Sequence, residues 1–485
     1  MISPEEFYLR TRRDFLATSA SGLGGLALAH MLGSDARAAE SALTHFAPRA
    51  KRCIFLFMAG APSQLDLFDY KPKLNELDGK KMDPLILEKM RFAFLKKESA
   101  TLMGSKRAFS QHGQAGMWFS DLLPHLASCA DDLCMIKSMH TTQFNHHPGQ
   151  LMMQCGEPHF GLPSIGSWLT YGLGSENENL PGYVVLLAGR GSSGGATLYQ
   201  SGFLPSSFAG VRFRNGDEPV LNLRNPDGIS PEVQRRGLDA LRKLNGIAHD
   251  AIRDPEIESR IAAYELAFRM QSAAPELADL SGESEQTIEA YGLNRDDPAT
   301  GGRGKGSSRT WSTFARNCLL ARRLAERGVR FVNLIHASWD QHSNLDSELE
   351  FNAGMSDQPV AALITDLKER GLLDETLVVW GGEFGRTPLG ENRPGRKPNT
   401  GRDHHPNAFT MFMAGGGIKP GFSYGETDDI GWEPAHNPVH VNDFHATLLH
   451  LFGINHLKLT HRHGGADKRL TSLTRESKVI HDLLS

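Results

Sequence analysis

Cysteine is scarce in this sequence. Its 485 residues include five cysteines, which are Cys53, Cys129, Cys134, Cys155 and Cys318. An odd number without a Cys-x-x-Cys pair argues against both a disulfide framework and a thiolate metal site. The spacing is compatible with a Cys129–Cys134 disulfide and equally with five buried thiols.

Net charge and long apolar runs are scarce as well. The formal net charge is −4, which excludes the strongly basic surface of a typical nucleic-acid-binding protein. The apolar stretch at residues 17–32 is too short and too rich in glycine for a good membrane span. We therefore expect neither a nucleic-acid partner nor a transmembrane span in the mature chain.

The amino terminus has the pattern of an export signal. A pair of arginines, Arg12-Arg13, precedes the apolar stretch 17–32, and Ala36-Arg37-Ala38 follows with the small residues that a signal peptidase reads. Paired arginines in this position are typical of the twin-arginine pathway, whose machinery exports folded proteins. The sequence predicts a signal peptide at residues 1–38 and a mature protein, 39–485, that is periplasmic or extracellular.

The mature chain has the pattern of a large α/β domain. Short apolar runs predict buried strands at residues 54–58, 133–136, 183–187, 329–335, 376–380 and 409–414. Helices are expected at residues 149–154, 255–272, 313–327, 356–370 and 445–452, three of them ending at glycine. The alternation of helix and strand predicts a mostly parallel central sheet with helices on both faces.

One long segment interrupts this alternation. Residues 189–235 are rich in Gly, Ser, Asn and Arg, and residues 296–308 form a Gly-rich polar stretch. Between them, residues 255–272 carry one apolar stripe at helical spacing. We interpret residues 189–310 as a helical and loop insertion into the α/β domain, close to the rim of the active site.

Candidate chemistry lies at the strand ends. In a parallel sheet, ligands bind beyond the carboxyl ends of the strands. The acidic and imidazole side chains at these positions are Asp66, His146, His147, Asp340, His342 and Glu383. Asp403, His404 and His405 precede the strand at 409–414, so they join this rim only if that strand is antiparallel or its loop folds back.

Carboxylate and imidazole groups without thiolate suit Zn, Mn, Mg, Ca or Fe. One or two such ions would polarise an ester and activate a nucleophile. A single Asp-x-His is more often a hydrogen-bonded turn, and a single His-His pair is more often a polar surface feature. The prediction of a metal site therefore depends on the whole set of proposed ligands. The set comprises Asp66, Asp340, His342, Glu383, Asp403, His404 and His405.

Several segments resemble a family of exported bacterial proteins known as domain of unknown function 1501. They are residues 54–66, Trp339-Asp340-Gln341-His342, Gly382-Glu383-Phe384-Gly385-Arg386-Thr387-Pro388 and Gly401-Arg402-Asp403-His404-His405-Pro406. The resemblance covers residues 50–470. It implies an alkaline-phosphatase-like or sulfatase-like fold, because the family is placed in that superfamily.

The resemblance also implies roles for individual residues. His146 stands where the superfamily has its nucleophile, two residues before a proline, and the usual Cys, Ser or Thr is missing there. Asp340 and His342 resemble the superfamily's Asp and His metal ligands. Glu383-Phe384 stands where Asp-His is expected, so Glu383 can replace the Asp but Phe384 cannot replace the His. His146, His147 and Arg386 are the candidate catalytic residues, with Arg386 expected to hold an anionic group.

Three functions are compatible with these observations. The first is an exported, metal-dependent hydrolase of a phosphate, sulfate or related ester, with a small-molecule or polysaccharide substrate and bound Zn, Ca, Mg or Mn. The alternative is a binding module that has the same fold without catalysis, and a structural partner in a surface assembly is a weaker third reading. We also expect the helix that begins near His146 to lower its pKa and favour the neutral, metal-binding form.

Overall fold

A computed structural model describes residues 44–485, except residues 89, 217, 221, 222 and 224, residues 300–308 and residues 393–399. The signal peptide predicted at residues 1–38 and most of the Gly-rich stretch 296–308 lie outside the described residues. None of the helices in the described part is both long and apolar enough to cross a membrane.

A large mixed sheet forms the centre of the protein. In the described part of the chain it has nine strands, in the order β12-β4-β11-β8-β1-β7-β5-β6, with β15 also paired to β4. These strands are β1 (Arg52–Ala59), β4 (Leu133–His140), β5 (Tyr183–Ala188), β6 (Val211–Phe213), β7 (Phe331–Ala337), β8 (Thr376–Gly381), β11 (Phe409–Ala414), β12 (Phe422–Tyr424) and β15 (Val439–His440). All six strands predicted from the sequence belong to this sheet.

The exception to the parallel arrangement is β11. It pairs antiparallel with both β8 and β4, whereas the other pairs in the sheet are parallel. The start of β11 therefore lies at the same edge as the carboxyl ends of β8 and β4. The sequence required either an antiparallel strand or a folded-back loop to bring residues 403–405 to the predicted rim. The structure has the antiparallel strand.

Smaller two-stranded sheets lie outside the central one. They pair β2 (Phe109–His112) with β3 (Met117–Ser120), β9 (Gly385–Gly390) with β10 (Arg402–His405), β13 (Glu426–Thr427) with β14 (Pro434–His436), and β16 (His461–His463) with β17 (Ala466–Lys468). The β9–β10 pair is important for function, because it holds Arg386 and His404 directly opposite each other.

The helices cover both faces of the sheet. They are α1 (Gln64–Leu67), α2 (Pro72–Glu76), α3 (Pro84–Glu88), α4 (Pro124–Ser128), α5 (His146–Cys155), α6 (Ile165–Leu173), α7 (Pro231–Ile252), α8 (Pro255–Ala278), α9 (Glu285–Tyr291), α10 (Thr310–Glu326), α11 (Leu345–Glu369) and α12 (Val441–Leu451). Single turns of 3-10 helix occur at Lys97–Ser99, Ala130–Asp132, Gly195–Leu198, Ser206–Phe208, Leu373–Glu375 and His481–Leu483.

Strand β1 shows how the two layers of helices are held. Ile54, Leu56 and Met58 point into a core shared with α10 and α11, whereas Phe55 and Phe57 point into a second core shared with α5, α6 and α12. All five side chains are fully buried. Because successive side chains of a strand face opposite sides, a continuous apolar run is what a sheet covered on both faces requires.

Helix boundaries agree with the predictions where glycine ends the helix. Gly328, Gly371 and Gly453 all have positive φ, at 78°, 66° and 74°, which residues with a side chain adopt at a cost. Helix α11 begins eleven residues before its predicted start, at Leu345. Helix α7 was not predicted, and it lies with α8 and α9 in the segment interpreted as an insertion.

The five cysteines are buried free thiols. Burial raises the pKa of the thiols of Cys134 and Cys155 to about 12. Of the two possibilities compatible with the sequence, the structure therefore has five thiols and no Cys129–Cys134 disulfide.

Candidate metal centre

Four side chains meet at the carboxyl edge of the sheet. His146 is the first residue of α5, which follows β4, and His404 lies in β10. Asp340 and His342 lie in the loop after β7. Each of the four offers one potential ligand atom, and these atoms all lie within 4.8 Å of one another. We call these four residues the ligand group.

The ligand group converges on one carboxylate oxygen. Asp340 Oδ1 lies 3.1 Å from His146 Nε2, 2.8 Å from His342 Nε2 and 3.2 Å from His404 Nε2. The Nε2 atoms of His342 and His404 are themselves 2.9 Å apart. Among the described residues His146 Nε2 has no aligned hydrogen-bond partner, despite its closeness to Asp340.

The second nitrogen of each imidazole faces an acceptor. His146 Nδ1 lies 2.8 Å from Glu383 Oε1, His404 Nδ1 lies 2.7 Å from the carbonyl oxygen of Phe144, and His342 Nδ1 contacts the carboxylate of Glu391. In a neutral ring whose proton is on Nδ1 and directed at this acceptor, Nε2 carries the lone pair. This arrangement is typical of metal-bound histidines, whose other nitrogen donates to a carboxylate or carbonyl group.

The donor set fits a cation. In neutral rings, three Nε2 lone pairs and the anionic Asp340 oxygen would face one another at hydrogen-bonding distance with no proton between them. The carboxylates of Glu383 and Asp403 are also buried beside the ligand group, and Arg386 is the guanidinium in contact with it among the described residues. Buried charges require a partner, and a divalent ion would satisfy both conditions. Three imidazoles with one carboxylate favour Zn, Mn or Fe over Mg and Ca, which prefer oxygen ligands.

Arg386 holds Asp340 in place. Its Nη2 lies 2.7 Å from Asp340 Oδ1, its Nε donates to the carbonyl oxygen of Ala61 at 3.0 Å, and its Nη1 donates to that of Arg402 at 3.1 Å. Nη2 also donates to the carbonyl oxygen of Gly60. The guanidinium is buried, and its hydrogen bonds go to Asp340 and to backbone carbonyl oxygens.

Glu383 lies behind His146, outside the ligand group. Its carboxylate accepts hydrogen bonds from the Gly60 backbone N–H at 3.0 Å and from Gln150 Nε2 at 3.1 Å, in addition to its contact with His146. A Cβ atom on Gly60 would lie 2.6 Å from the backbone nitrogen of Trp339. Glycine at this position therefore allows the ends of β1 and β7 to approach and the N–H to reach Glu383.

The remaining predicted ligands lie outside the ligand group. Asp403 accepts hydrogen bonds from the backbone N–H groups of Phe94 and Leu95, both at 2.8 Å, and its Oδ1 lies 3.9 Å from His342 Nδ1. His405 Nε2 contacts the carbonyl oxygen of Trp432. Asp403 thus belongs, with His342 and Glu391, to a second buried group of side chains that could hold a metal ion.

Asp66 is bound to an arginine instead of a metal. Arg402 donates to its carboxylate through Nε at 2.7 Å and Nη2 at 3.2 Å, and the Ser63 hydroxyl donates to it at 2.5 Å. The charge of Arg402 outweighs burial and lowers the pKa of Asp66. This interaction also occupies the hydroxyl group of Ser63.

Replacing Asp66 with asparagine is expected to destabilise the protein and leave its metal content unchanged. The change leaves the buried Arg402 guanidinium without a counter-ion, which costs about 3–5 kcal/mol. Because the pKa of Asp66 is lowered in the folded state, this stability is present at neutral pH and is lost as the pH falls below about 4. Denaturant unfolding and elemental analysis of Asp66→Asn measure the two effects. Loss of the metal at unchanged stability would instead make Asp66 a ligand.

Carboxylates control the protonation of His146. Burial lowers its pKa, but hydrogen bonds and charges from Asp340 and Glu383 outweigh burial and raise the pKa to about 9. The expectation that the helix amino terminus lowers this pKa was therefore wrong, because the two carboxylates raise it. Burial and the neighbouring Arg386 and His146 lower the pKa of His404.

The centre opens to solvent on one side. The side chains of Asp340 and His146 are 25% and 20% exposed, whereas His342 and His404 are buried. The Phe384 ring stacks on His146, with ring centroids 5.2 Å apart, and forms one wall. A substrate would therefore reach the ligand group from the side of Asp340 and His146.

Two residues next to the centre have unusual backbone conformations. Ala61 has φ of 65° and Ser338 has φ of 95°, and they follow the carboxyl ends of β1 and β7. Such conformations cost about 1–3 kcal/mol for residues with a side chain and are concentrated at functional sites. Their positions are consistent with a rim shaped for binding.

Sequence reasoning missed two residues of the centre. Glu391 contacts His342, and Gln150 donates to Glu383 while its own Oε1 accepts from the Gly194 backbone N–H at 2.9 Å. Gln150 lies four residues after His146 and thus on the same face of α5, which was an available signal. Glu391 follows a strand outside the central sheet, where the sequence gives no reason to expect a functional residue.

His147 lies beside the centre without joining the ligand group. Its ring packs edge-on against Phe160, with centroids 4.9 Å apart. Its Nε2 has no hydrogen-bond partner among the described residues. His147 is therefore a side chain with a spare hydrogen-bonding group next to His146.

Comparison with solved structures gives distant similarities. A sulfatase from Pseudoalteromonas sp. is 11% identical, with 84% of this chain and 68% of that chain covered and a TM-score of 0.36. The alkaline phosphatase of the Antarctic bacterium TAB5 is also 11% identical, with 84% and 99% covered and a TM-score of 0.32. The lipoteichoic acid synthase LtaP of Listeria monocytogenes is 9% identical, with 88% and 76% covered and a TM-score of 0.36.

No curated protein matches the sequence. The profile of one protein family matches residues 50–484, which is nearly the whole of the described chain. That family is described as protein of unknown function, DUF1501. The chain belongs to the DUF1501 family.

Proposed function

We propose that the protein is a metal-dependent hydrolase of a phosphate, sulfate or related ester that acts outside the cytoplasm after export. The observation that supports this most strongly is the convergence of three imidazole Nε2 atoms on Asp340 at a solvent-accessible edge of the sheet. Export is supported by the paired arginines and the signal-like sequence of residues 1–38.

The ligand group explains how a cation would be held. His146, His342 and His404 would each contribute Nε2, and Asp340 would contribute a carboxylate oxygen. A divalent ion bound there would polarise an ester oxygen and lower the pKa of water. Glu383, Glu391 and the Phe144 carbonyl group fix the orientation of the three rings, and Arg386 fixes Asp340.

We propose that water is the nucleophile. In the described residues the ligand group contains no hydroxyl or thiol, and the nearby Ser63 hydroxyl is committed to Asp66. In this reaction water adds to phosphorus or sulfur, the bond to the alcohol oxygen breaks, and the departing oxygen takes up a proton. We propose His147, the residue after His146 in α5, as the proton donor; its Nε2 is buried and has no hydrogen-bond partner among the described residues.

We expect chelation to abolish hydrolysis and added metal to restore it. The assay uses purified protein with Zn, Mn, Mg or Ca and para-nitrophenyl esters of phosphate, phosphodiester and sulfate. Because the donor set favours imidazole-binding ions, Zn or Mn should restore more activity than Mg or Ca. If protein with a bound metal hydrolyses none of the esters, the activity proposal is contradicted and a non-catalytic binding module becomes the better account.

A further inference from the structure

Helix α7 carries a coiled-coil pattern that no part of the proposed function uses. Small and apolar residues recur at alternating spacings of four and three, at Val233, Gly237, Ala240, Leu244, Ile247 and Ala251. Spacing of this kind produces a seam along one side of a helix, through which two helices pack. The helix is 22 residues long, from Pro231 to Ile252, which is enough for three heptads.

The protein does not bury this seam. Leu244 and Ile247 are 63% and 69% exposed, and none of the residues of α7 is buried. An amphipathic helix of a globular domain normally turns its apolar stripe toward the core. In α7 the apolar stripe faces solvent instead.

Helix α7 rests on α8 through its polar side. Arg235 binds Glu265 of α8 at 2.6 Å, and its guanidinium lies 5.2 Å from the centre of the Phe268 ring. One turn from the other end of α7, His249 lies 3.2 Å from Glu258. These polar contacts fix the rotation of α7 about its own axis and direct the apolar seam away from the molecule.

Exposed large apolar residues are concentrated on α7 and next to it. Seven of the fourteen exposed large apolar residues of the described chain lie on or next to this helical pair. They are Ile229, Val233, Leu241, Leu244, Ile247, Ile252 and Tyr264. A concentration of this kind on one element marks an interaction surface.

We propose that the seam of α7 binds the same seam of a second copy of this chain, with the two helices antiparallel. Along one edge of the seam lie Arg236, Lys243 and Asp250, seven residues apart. In an antiparallel pair with a two-fold axis near the middle of the helix, Arg236 lies against the partner's Asp250, and Asp250 against the partner's Arg236. The interface is thus self-complementary in charge at both ends.

The other edge of the seam also fits this pairing. Leu241 lies near the two-fold axis and would contact the partner's Leu241. Gly237, Ala240 and Ala251 are small, so they let the two helix backbones approach closely. The two Lys243 side chains meet near the axis on an exposed edge, where like charges cost little.

The charges and the seam residues of α7 favour a second copy of the chain over an anionic lipid surface as the binding partner. A lipid-binding helix carries basic residues along its polar face, whereas this edge carries charges of both signs. The heptad spacing and the small seam residues also match a helical partner more closely than a membrane, which has no such spacing.

Cross-linking tests the proposed pairing. All five native cysteines are buried, so Leu241→Cys introduces a single reactive thiol at the expected axis. A short bis-maleimide is expected to convert this variant into covalent dimers at micromolar concentration. The matched control is Leu457→Cys, which places a thiol at another exposed leucine away from the seam and should give no covalent dimer. Equal cross-linking of the two variants would overturn the proposal.

Charge exchange tests the orientation. Asp250→Arg places like charges together at both ends of the antiparallel pair, and it is expected to raise the dimer dissociation constant about tenfold in sedimentation experiments. The double variant Arg236→Asp with Asp250→Arg should restore dimerisation. A wild-type protein that is monomeric at all accessible concentrations would contradict the proposal, and binding of that monomer to anionic vesicles would identify a lipid surface as the partner instead.

Discussion

His342→Ala is expected to remove the bound metal while leaving the fold intact. The substitution deletes an Nε2 that lies 2.8 Å from Asp340 Oδ1 and 2.9 Å from His404 Nε2. Loss of a residue that only orients a ligand reduces metal affinity about 10–100-fold, and loss of the ligand itself should cost more. We expect metal content after dialysis to fall to the background level and hydrolysis to fall with it. Elemental analysis and circular dichroism measure metal content and folding.

The matched control for His342→Ala is His159→Ala. His159 is exposed and lies outside the ligand group, so its replacement should change neither metal content nor activity. A His342→Ala protein that is folded and still holds a full complement of metal would show that His342 is not a ligand. If His342→Ala does not fold, His342→Gln provides the test instead, because glutamine keeps a polar side chain of similar length.

His146→Ala is expected to abolish ester hydrolysis. His146 supplies one Nε2 of the ligand group and is its most exposed imidazole, so its loss affects both the metal and the approach of substrate. Glu383→Gln provides a graded comparison, because it keeps the side chain but removes the charge behind His146 Nδ1. We expect Glu383→Gln to weaken metal binding about 10–100-fold and His146→Ala to weaken it further.

Rescue separates a chemical role of His146 from a structural one. Removal of the ring leaves a space next to Phe384, whose ring stacks on it in the native protein. Added imidazole should therefore restore part of the metal binding and activity of His146→Ala, and it should not improve His159→Ala. Wild-type metal content and wild-type activity in His146→Ala would exclude His146 from the centre.

Much of the fold was predictable because its signals are local. The continuous apolar runs of β1, β7 and β8 identify strands covered on both faces, and glycines such as Gly328 mark where helices end. Helix α7 was missed although its sequence carries helical spacing, because it begins within the Gly-, Ser-, Asn- and Arg-rich stretch 189–235. The early part of α11 was missed because Asp346, Glu348 and Glu350 make it look like a polar loop.

The candidate site was predictable in residue type but less so in role. His146, Asp340, His342 and His404 were all named from the sequence, and the antiparallel direction of β11 brings the last of them to the others. Glu383 and Asp403 were also named as ligands; Asp403 lies with His342 and Glu391 in a second group that could hold a metal, and Glu383 lies behind His146. Their places were decided by tertiary contacts, such as the Gly60 N–H on Glu383 and the Phe94 N–H on Asp403.

The existence of the metal centre is the central claim, and X-ray absorption spectroscopy of protein purified with its native metal tests it most directly. We predict about one transition-metal ion per chain, with imidazole nitrogens and a carboxylate oxygen at about 2.0–2.2 Å in the first coordination shell. The imidazole contribution should decrease by one ring in His404→Ala protein that has been reloaded with metal. Protein that binds no metal, or a coordination shell of oxygen alone that is unchanged in His404→Ala, would contradict the account.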